Sequence, residues 1–137
     1  MPRPRLKKRL GQHHLVRPEL CRPLIDFLAP DAGERVLEVG PGGGVLTRAL
    51  LAAGARVWGV ELDPEWAWEL RRALPDPRLQ PLVMDALELP WQRLPAGTLV
   101  AGNLPYNVAT PLLAGILPHH ARIPRAGFLL QKEVAER

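Results

Sequence analysis

The sequence predicts an α/β fold built on a parallel sheet with strand order 3-2-1-4-5. Three observations predict it. A short apolar run over 36–39 stops at Gly40-Pro41-Gly42-Gly43-Gly44, and a helical pattern follows over 45–53. Strand-like apolar runs then alternate with helix-length segments along the chain. A second run, 56–60, ends on an acidic residue, Glu61, about 20 positions after the first glycine. Strand, glycine turn and helix open a βαβ unit of the kind that holds a nucleotide.

In chain order, residues 1–10 are basic and proline-bearing, and 10–16 form a short segment broken by Gly11. Over 18–28 the apolar positions Leu20, Leu24, Ile25 and Leu28 have helical spacing, which stops before Pro30. Residues 31–34 read as a turn, and 36–39 as the first strand. Gly40 and Gly42 lack a Cβ, so the backbone can turn tightly and a ligand can approach closely. The helix over 45–53 begins with free N–H groups, which favour negative or polar ligand groups. Gly54 closes that helix.

Strand two covers 56–60. Glu61 at its end is placed to accept hydrogen bonds from ribose hydroxyls. Asp63 precedes Pro64 and reads as the cap of a helix over 64–74. Trp66 and Trp68 in that helix read as packing residues. Residues 79–83 read as an edge strand, because Pro81 would break a central ladder. A fourth strand at 98–102, a short helix at 110–117, a fifth strand at 126–131 and a helix opening at 133 complete the reading. Phe128-Leu129-Leu130 is apolar on both faces, as an interior strand should be. The chain is therefore expected to be a piece of a longer protein, or to have its sheet completed by a partner.

A length of 137 residues allows one domain, divided here into an N-terminal arm (1–17) and an incomplete α/β domain (18–137). The 47% hydrophobic content is enough for a real core. A single cysteine, Cys21, excludes a disulfide framework and a cysteine zinc site, and its apolar helical setting makes it a small buried residue. The basic N-terminus is not followed by the apolar core of a signal peptide, and no apolar run has membrane-spanning length. A cytoplasmic protein without a membrane partner is expected. The net charge of +4 is unevenly placed: residues 1–22 hold seven basic residues and one acid (+6), and residues 23–137 hold eleven and thirteen (−2). Such an arm suits a phosphate backbone, with affinity falling as salt rises. His13-His14 and His119-His120 are adjacent pairs whose side chains point different ways, with no Cys or carboxylate cluster beside them, so no metal site is expected.

Immediately after the fourth strand comes Asn103-Leu104-Pro105-Tyr106-Asn107, which holds both asparagines and the one tyrosine of the chain. These residue types suit an exocyclic amine on a nucleobase. Its lone pair is delocalised into the ring, so it reacts only when acceptors hold its hydrogens in the right geometry. Asn103 offers a side-chain carbonyl, and Leu104 and Pro105 offer backbone carbonyls on a turn that proline keeps rigid. Tyr106 offers a flat face for an extruded base. An ordinary turn is the competing reading.

Glu38-Val39-Gly40-Pro41-Gly42 resembles motif I of S-adenosylmethionine-dependent methyltransferases, and Asn103-Leu104-Pro105-Tyr106 resembles the motif of amino-methyltransferases acting on adenine. With Lys8-Arg9-Leu10-Gly11-Gln12-His13, Met84-Asp85-Ala86-Leu87 and Leu130-Gln131-Lys132-Glu133-Val134-Ala135, the chain resembles the ribosomal RNA small-subunit adenine N6-dimethyltransferases, the kasugamycin-sensitivity enzymes. The resemblance implies a Rossmann-like fold truncated before its last two strands and before a small helical domain. It implies S-adenosylmethionine as cofactor, held by Glu38, Gly40, Gly42, Glu61, Asp85, Ala86 and Asn103, with His13 and Leu15 closing over it. It implies Asn103, Pro105 and Tyr106 as the groups that position and stack the target adenine. The partner would be small-subunit ribosomal RNA or the immature subunit, and the full-length protein a monomer. His14 departs from the family, which has an aromatic residue there. Other readings stay open: an amino-methyltransferase acting on DNA or protein, or a non-catalytic RNA-binding module. A nicotinamide oxidoreductase is disfavoured by Val45, which stands where the dinucleotide loop has its third glycine.

Overall fold

The computed structural model of the chain describes residues 17–131. They form a five-stranded, all-parallel sheet in the order β3-β2-β1-β4-β5, as expected. The strands are β1 (Arg35–Val39), β2 (Arg56–Glu61), β3 (Leu79–Val83), β4 (Leu99–Pro105) and β5 (Ala126–Gln131). The helices are α1 (Arg22–Leu28), α2 (Val45–Ala52), α3 (Pro64–Ala73) and α4 (Tyr106–Ile116).

Period-two alternation along each strand divides the core between two faces. Val36, Val57, Leu79, Leu99 and Ala101 pack against Leu24 and Leu28 of α1, Leu46 and Leu50 of α2, and Leu70 of α3. Leu37, Val39, Val60, Val100 and Leu104 pack against Trp91 and against Ala109, Leu112 and Ile116 of α4. β1 lies at the centre, and Val36 to Val39 are all buried because helices cover both faces.

Pro81 sits on an edge strand as read. Met84 N–H donates to the Glu61 carbonyl at 3.1 Å, so by alternation the Pro81 nitrogen faces away from β2 and no ladder bond is lost. β5 is also an edge strand among the described residues, half-buried along most of its length. α1 covers one of its faces closely: a Cβ on Gly127 would lie 2.6 Å from Leu24 Cδ1. Arg125 Nε donates to the Leu28 carbonyl at 2.8 Å, which fixes the end of α1 to the start of β5.

Three boundaries differ from expectation, each through proline or the strand edge. The run over 18–28 is not one helix but a 3₁₀ turn, Pro18–Cys21, followed by α1. Pro23 has no N–H to donate back to Glu19, so the first turn cannot carry a full α ladder. β4 continues to Pro105 and α4 begins at Tyr106, so 103–105 are strand, not turn. The fourth helix also starts a turn earlier than the expected 110, because Pro111 lies inside it instead of opening it. Trp66 is buried in packing as expected, whereas Trp68 is largely exposed. No described helix is long and apolar enough to cross a membrane. The expected helix from 133 lies outside the described residues.

Candidate functional site

The carboxyl ends of β2, β1 and β4 lie side by side and bring three polar residues to one face. In register, Val39 pairs with Val60 on one side and Gly102 on the other. Alternation puts Glu38, Glu61 and Asn103 on the face packed by α1, α2 and α3.

β1 ends in the glycine loop. Gly40 has φ +67°, and its N–H donates to the Val60 carbonyl at 2.8 Å. A Cβ there would lie 3.3 Å from Leu104 Cδ2. The first loop glycine therefore packs directly on the Asn-Leu-Pro-Tyr segment, in a conformation that L side chains rarely adopt. Gly42 N–H donates to Glu61 Oε1 at 3.2 Å, and Asp63 N–H donates to Glu61 Oε2 at 3.3 Å. Glu61 is thus a brace between β2 and the loop, 1% exposed. Asp63 is the helix cap: its side chain accepts from Glu65 N–H at 2.8 Å.

Glu38 is equally enclosed, at 1% exposure, and Oε1 accepts from Thr47 Oγ1 at 2.5 Å. Burial pushes its carboxyl up to about 8; the Thr47 bond opposes this and the nearby Glu61 charge adds to it. Glu38 therefore holds a proton at neutral pH and ties β1 to the first turns of α2. Cys21 is buried beside this group, and burial, then the Glu38 charge, raises its thiol. Thr47 was missed by sequence reasoning. Its signal was available: it is nine residues from a buried carboxyl, on the inward face of a short apolar helix.

At β4 the ladder to β1 stops at Gly102, while the ladder to β5 continues to Pro105. Val100 N–H donates toward β5, to the Arg125 carbonyl at 3.2 Å. Alternation then turns the backbone of residues 102 and 104 toward β5, and that of 103 and 105 toward the glycine loop. This corrects one expectation. The Leu104 carbonyl belongs to the sheet, and the carbonyl of Pro105, the N-cap of α4, accepts the first bond of that helix. The acceptors on the loop side are the Asn103 side chain and carbonyl, with the second lone pair of Pro105 beside them. Proline at 105 brings no N–H to that side. Asn103 and Pro105 are half-buried, and Tyr106, the first residue of α4, is 54% exposed. Gly102 was also missed: a Cβ there would lie 2.9 Å from the Val39 carbonyl oxygen.

At the end of β3, Asp85 is half-buried and caps a 3₁₀ turn over Ala86–Glu88, with Oδ1 accepting from Leu87 N–H at 2.9 Å. Ala86 packs at the edge of the α4-side core. Leu62 and Leu87, next in sequence to Glu61 and close to Asp85, are 54% and 50% exposed. Both leave apolar side chains exposed beside the ends of β2 and β3. His13 and Leu15 lie outside the described residues. Among the described residues no group of three or more His, Cys, Asp or Glu side chains is placed to hold a metal ion.

Comparison with known proteins bears on this site. The family model described as ribosomal RNA adenine dimethylase matches residues 3–137. The chain is 42% identical over 137 residues to the ribosomal RNA small subunit methyltransferase A of Acidithiobacillus ferrooxidans, covering 98% of this chain and 51% of that protein. It is 43% identical to the protein of the same name from Thiobacillus denitrificans, over 96% of this chain and 51% of the relative. The chain thus spans about half the length of the curated relatives it matches. Among solved structures, a dimethyladenosine transferase from Plasmodium falciparum aligns with TM-score 0.74 and 27% identity, over 91% of this chain and 46% of the other. The 23S rRNA methyltransferase ErmE aligns with the same TM-score and identity, over 87% and 48%. The chain belongs to the ribosomal RNA adenine dimethylase family.

Proposed function

We propose that this chain is the cofactor-binding and base-positioning portion of an S-adenosylmethionine-dependent enzyme that dimethylates N6 of adenines in small-subunit ribosomal RNA. The observation that carries the reading is the contact of Gly40 with Leu104. The loop suited to a nucleotide cofactor and the strand end suited to a nucleobase amine pack on each other across one β1–β4 register step. The curated relatives' names supply the substrate class.

The residues present fit the cofactor. Gly40 and Gly42 leave the loop without side chains. Glu61, held by the N–H groups of Gly42 and Asp63 at the end of β2, stands where the ribose hydroxyls would lie. Asp85 and Ala86, with exposed Leu62 and Leu87 nearby, form a rim for the adenine ring and its amine. Glu38 acts through Thr47, holding α2 and the loop in place. The family resemblance assigns His13 and Leu15 of the arm (1–17), outside the described residues, to the cofactor, and 18–137 to the catalytic domain. When bound, S-adenosylmethionine supplies an electrophilic methyl on a positively charged sulfur.

On the acceptor side, Asn103 Oδ1, with the second lone pair of the Pro105 carbonyl, accepts from the target amine and turns its lone pair out of conjugation. Tyr106 stacks on the extruded base, a contact worth about 1–3 kcal/mol. Rate comes chiefly from alignment of the two reactants. The basic arm supplies salt-sensitive affinity for the RNA backbone. In this reading the full-length protein acts as a monomer in the cytoplasm, on small-subunit RNA or the immature subunit.

Calorimetry with S-adenosylhomocysteine, then labelled methyl transfer to small-subunit RNA, large-subunit RNA, DNA and protein, tests the proposal. Cofactor binding and label confined to small-subunit adenines are expected. RNA binding without cofactor binding would instead identify a non-catalytic module, and label on another acceptor would overturn the substrate assignment. Asn103→Ala is expected to keep cofactor affinity within a few-fold and to abolish transfer. Normal turnover by that variant refutes the role given to the end of β4.

A further inference from the structure

We propose that Gln131 reads the target base, Oε1 accepting from the N6 amino group of the adenine and Nε2 donating to its N7. The proposal rests on the end of β4 being the methyl-accepting site. Gln131 closes β5 and is the register partner of Pro105, as Leu129 is of Asn103. Register partners in a parallel ladder present their side chains to the same face, so Gln131 stands on the face of Asn103. Leu129 packing on the α1–α2–α3 core fixes which face that is.

Gln131 Oε1 is buried and has no hydrogen-bond partner among the described residues. Buried polar atoms are paired in nearly all native structures, so an orphan beside a binding site points to a partner that arrives with the ligand. The remainder of β5 is Ala126-Gly127-Phe128-Leu129-Leu130, with no other side-chain polar group. A carboxamide presents one acceptor beside one donor. The N6–N7 edge of adenine presents a donor beside an acceptor, and no other base has that pair on its major-groove edge. Asn103 and Pro105 then have the amino hydrogen on the N1 side to hold. The site would thereby select adenine and not any stackable base.

The test uses the chain saturated with S-adenosylhomocysteine and ¹⁵N-labelled in its side-chain amides. It is titrated with adenosine 5′-monophosphate and with the 7-deaza analogue, which lacks the N7 acceptor. Adenosine 5′-monophosphate is expected to shift both the Asn103 and Gln131 amides. The analogue should bind wild type about tenfold more weakly, the effect of one lost base-edge hydrogen bond. Gln131→Leu should bind the two nucleotides equally. Gln131→Glu, a second variant that keeps the acceptor and loses the donor, should also lose the preference for N7. A thermal melt confirms that each variant is folded. Equal binding of both nucleotides by wild type overturns the proposal, as does a silent Gln131 amide when Asn103 shifts. If neither amide shifts although S-adenosylhomocysteine binds, the acceptor-site reading fails and takes this proposal with it. If S-adenosylhomocysteine itself does not bind, the function proposed above fails first.

Discussion

Glu38→Gln should abolish a large part of the pH dependence of folding. The native carboxyl is held at about 8 against an ordinary 4.5, mainly because it is buried. Between those values the native state binds a proton that the unfolded chain has released. The favourable contribution is therefore complete below about pH 4.5 and is lost as pH rises through 8. Each pH unit inside that window removes about 1.4 kcal/mol. Stability should fall by roughly 3 kcal/mol from pH 4.5 to pH 7, and by roughly 4 kcal/mol by pH 9. Against a total of about 5–15 kcal/mol for a native domain, that is a large share. Glutamine is neutral at every pH and still offers Oε1 to Thr47. Urea unfolding of both proteins at several pH values gives a difference curve from which the titrations of groups not coupled to Glu38 cancel. It should rise in favour of the variant from pH 4.5 to pH 9 and level off on both sides. A flat difference curve refutes the argument, since it would mean that Glu38 has the same proton affinity folded and unfolded.

Further substitutions test the neighbouring contacts. Thr47→Val should cost about 1–3 kcal/mol in urea unfolding by leaving the buried Glu38 carboxyl without its donor. Gly40→Ala combines a φ of +67° with a 3.3 Å approach to Leu104; it should destabilise by about 1–2 kcal/mol and lower S-adenosylhomocysteine affinity by calorimetry. Gly102→Ala places a Cβ 2.9 Å from a backbone oxygen that cannot swing away, and should cost about 1–3 kcal/mol in a thermal or urea melt.

Much of the fold was legible because period-two and helical patterns are strong here. Val36 to Val39, followed by glycines, could only be a buried strand entering a loop, and Pro81 marked an edge. What was not legible turned on proline and on ladder geometry. The fourth helix was expected over 110–117, yet α4 starts at Tyr106 and tolerates Pro111 in its second turn because residues 106–109 already make the first. Asn103-Leu104-Pro105 looked like a turn by composition. In the sheet β5 supplies hydrogen-bond partners as far as Gln131, so the strand outlasts its β1 neighbour. The identity of the candidate site residues was readable from motif and chemistry, but their contacts were not. Nothing in spacing alone says that Glu61 would brace Gly42 while Glu38 would face Thr47.

The unequal ladder at β4 connects fold to chemistry. Had β1 continued beside β4 to residue 105, the Asn103 carbonyl would be taken by a ladder bond, and only its side chain would offer an acceptor there. Because β1 turns away at Gly40, the Asn103 carbonyl has no β1 ladder partner, at the strand end to which the proposed function assigns the target amine. The turn needs Gly40 for its left-handed φ and for the space occupied by Leu104. The close approach of β4 to β1 needs Gly102, which leaves room for the Val39 carbonyl. Two glycines on neighbouring strands thus set the relative placement of the glycine loop and the end of β4, so in the proposed function acceptor positioning depends on backbone placement as well as on side chains. Gly40→Ala and Gly102→Ala should consequently impair acceptor positioning even where stability is restored by low temperature. Asn103→Ala should impair it with no loss of stability at all. Methyl transfer and urea unfolding measured on the same three variants separate these cases. Full activity in a folded Gly102→Ala protein would show that acceptor positioning is not set by this register.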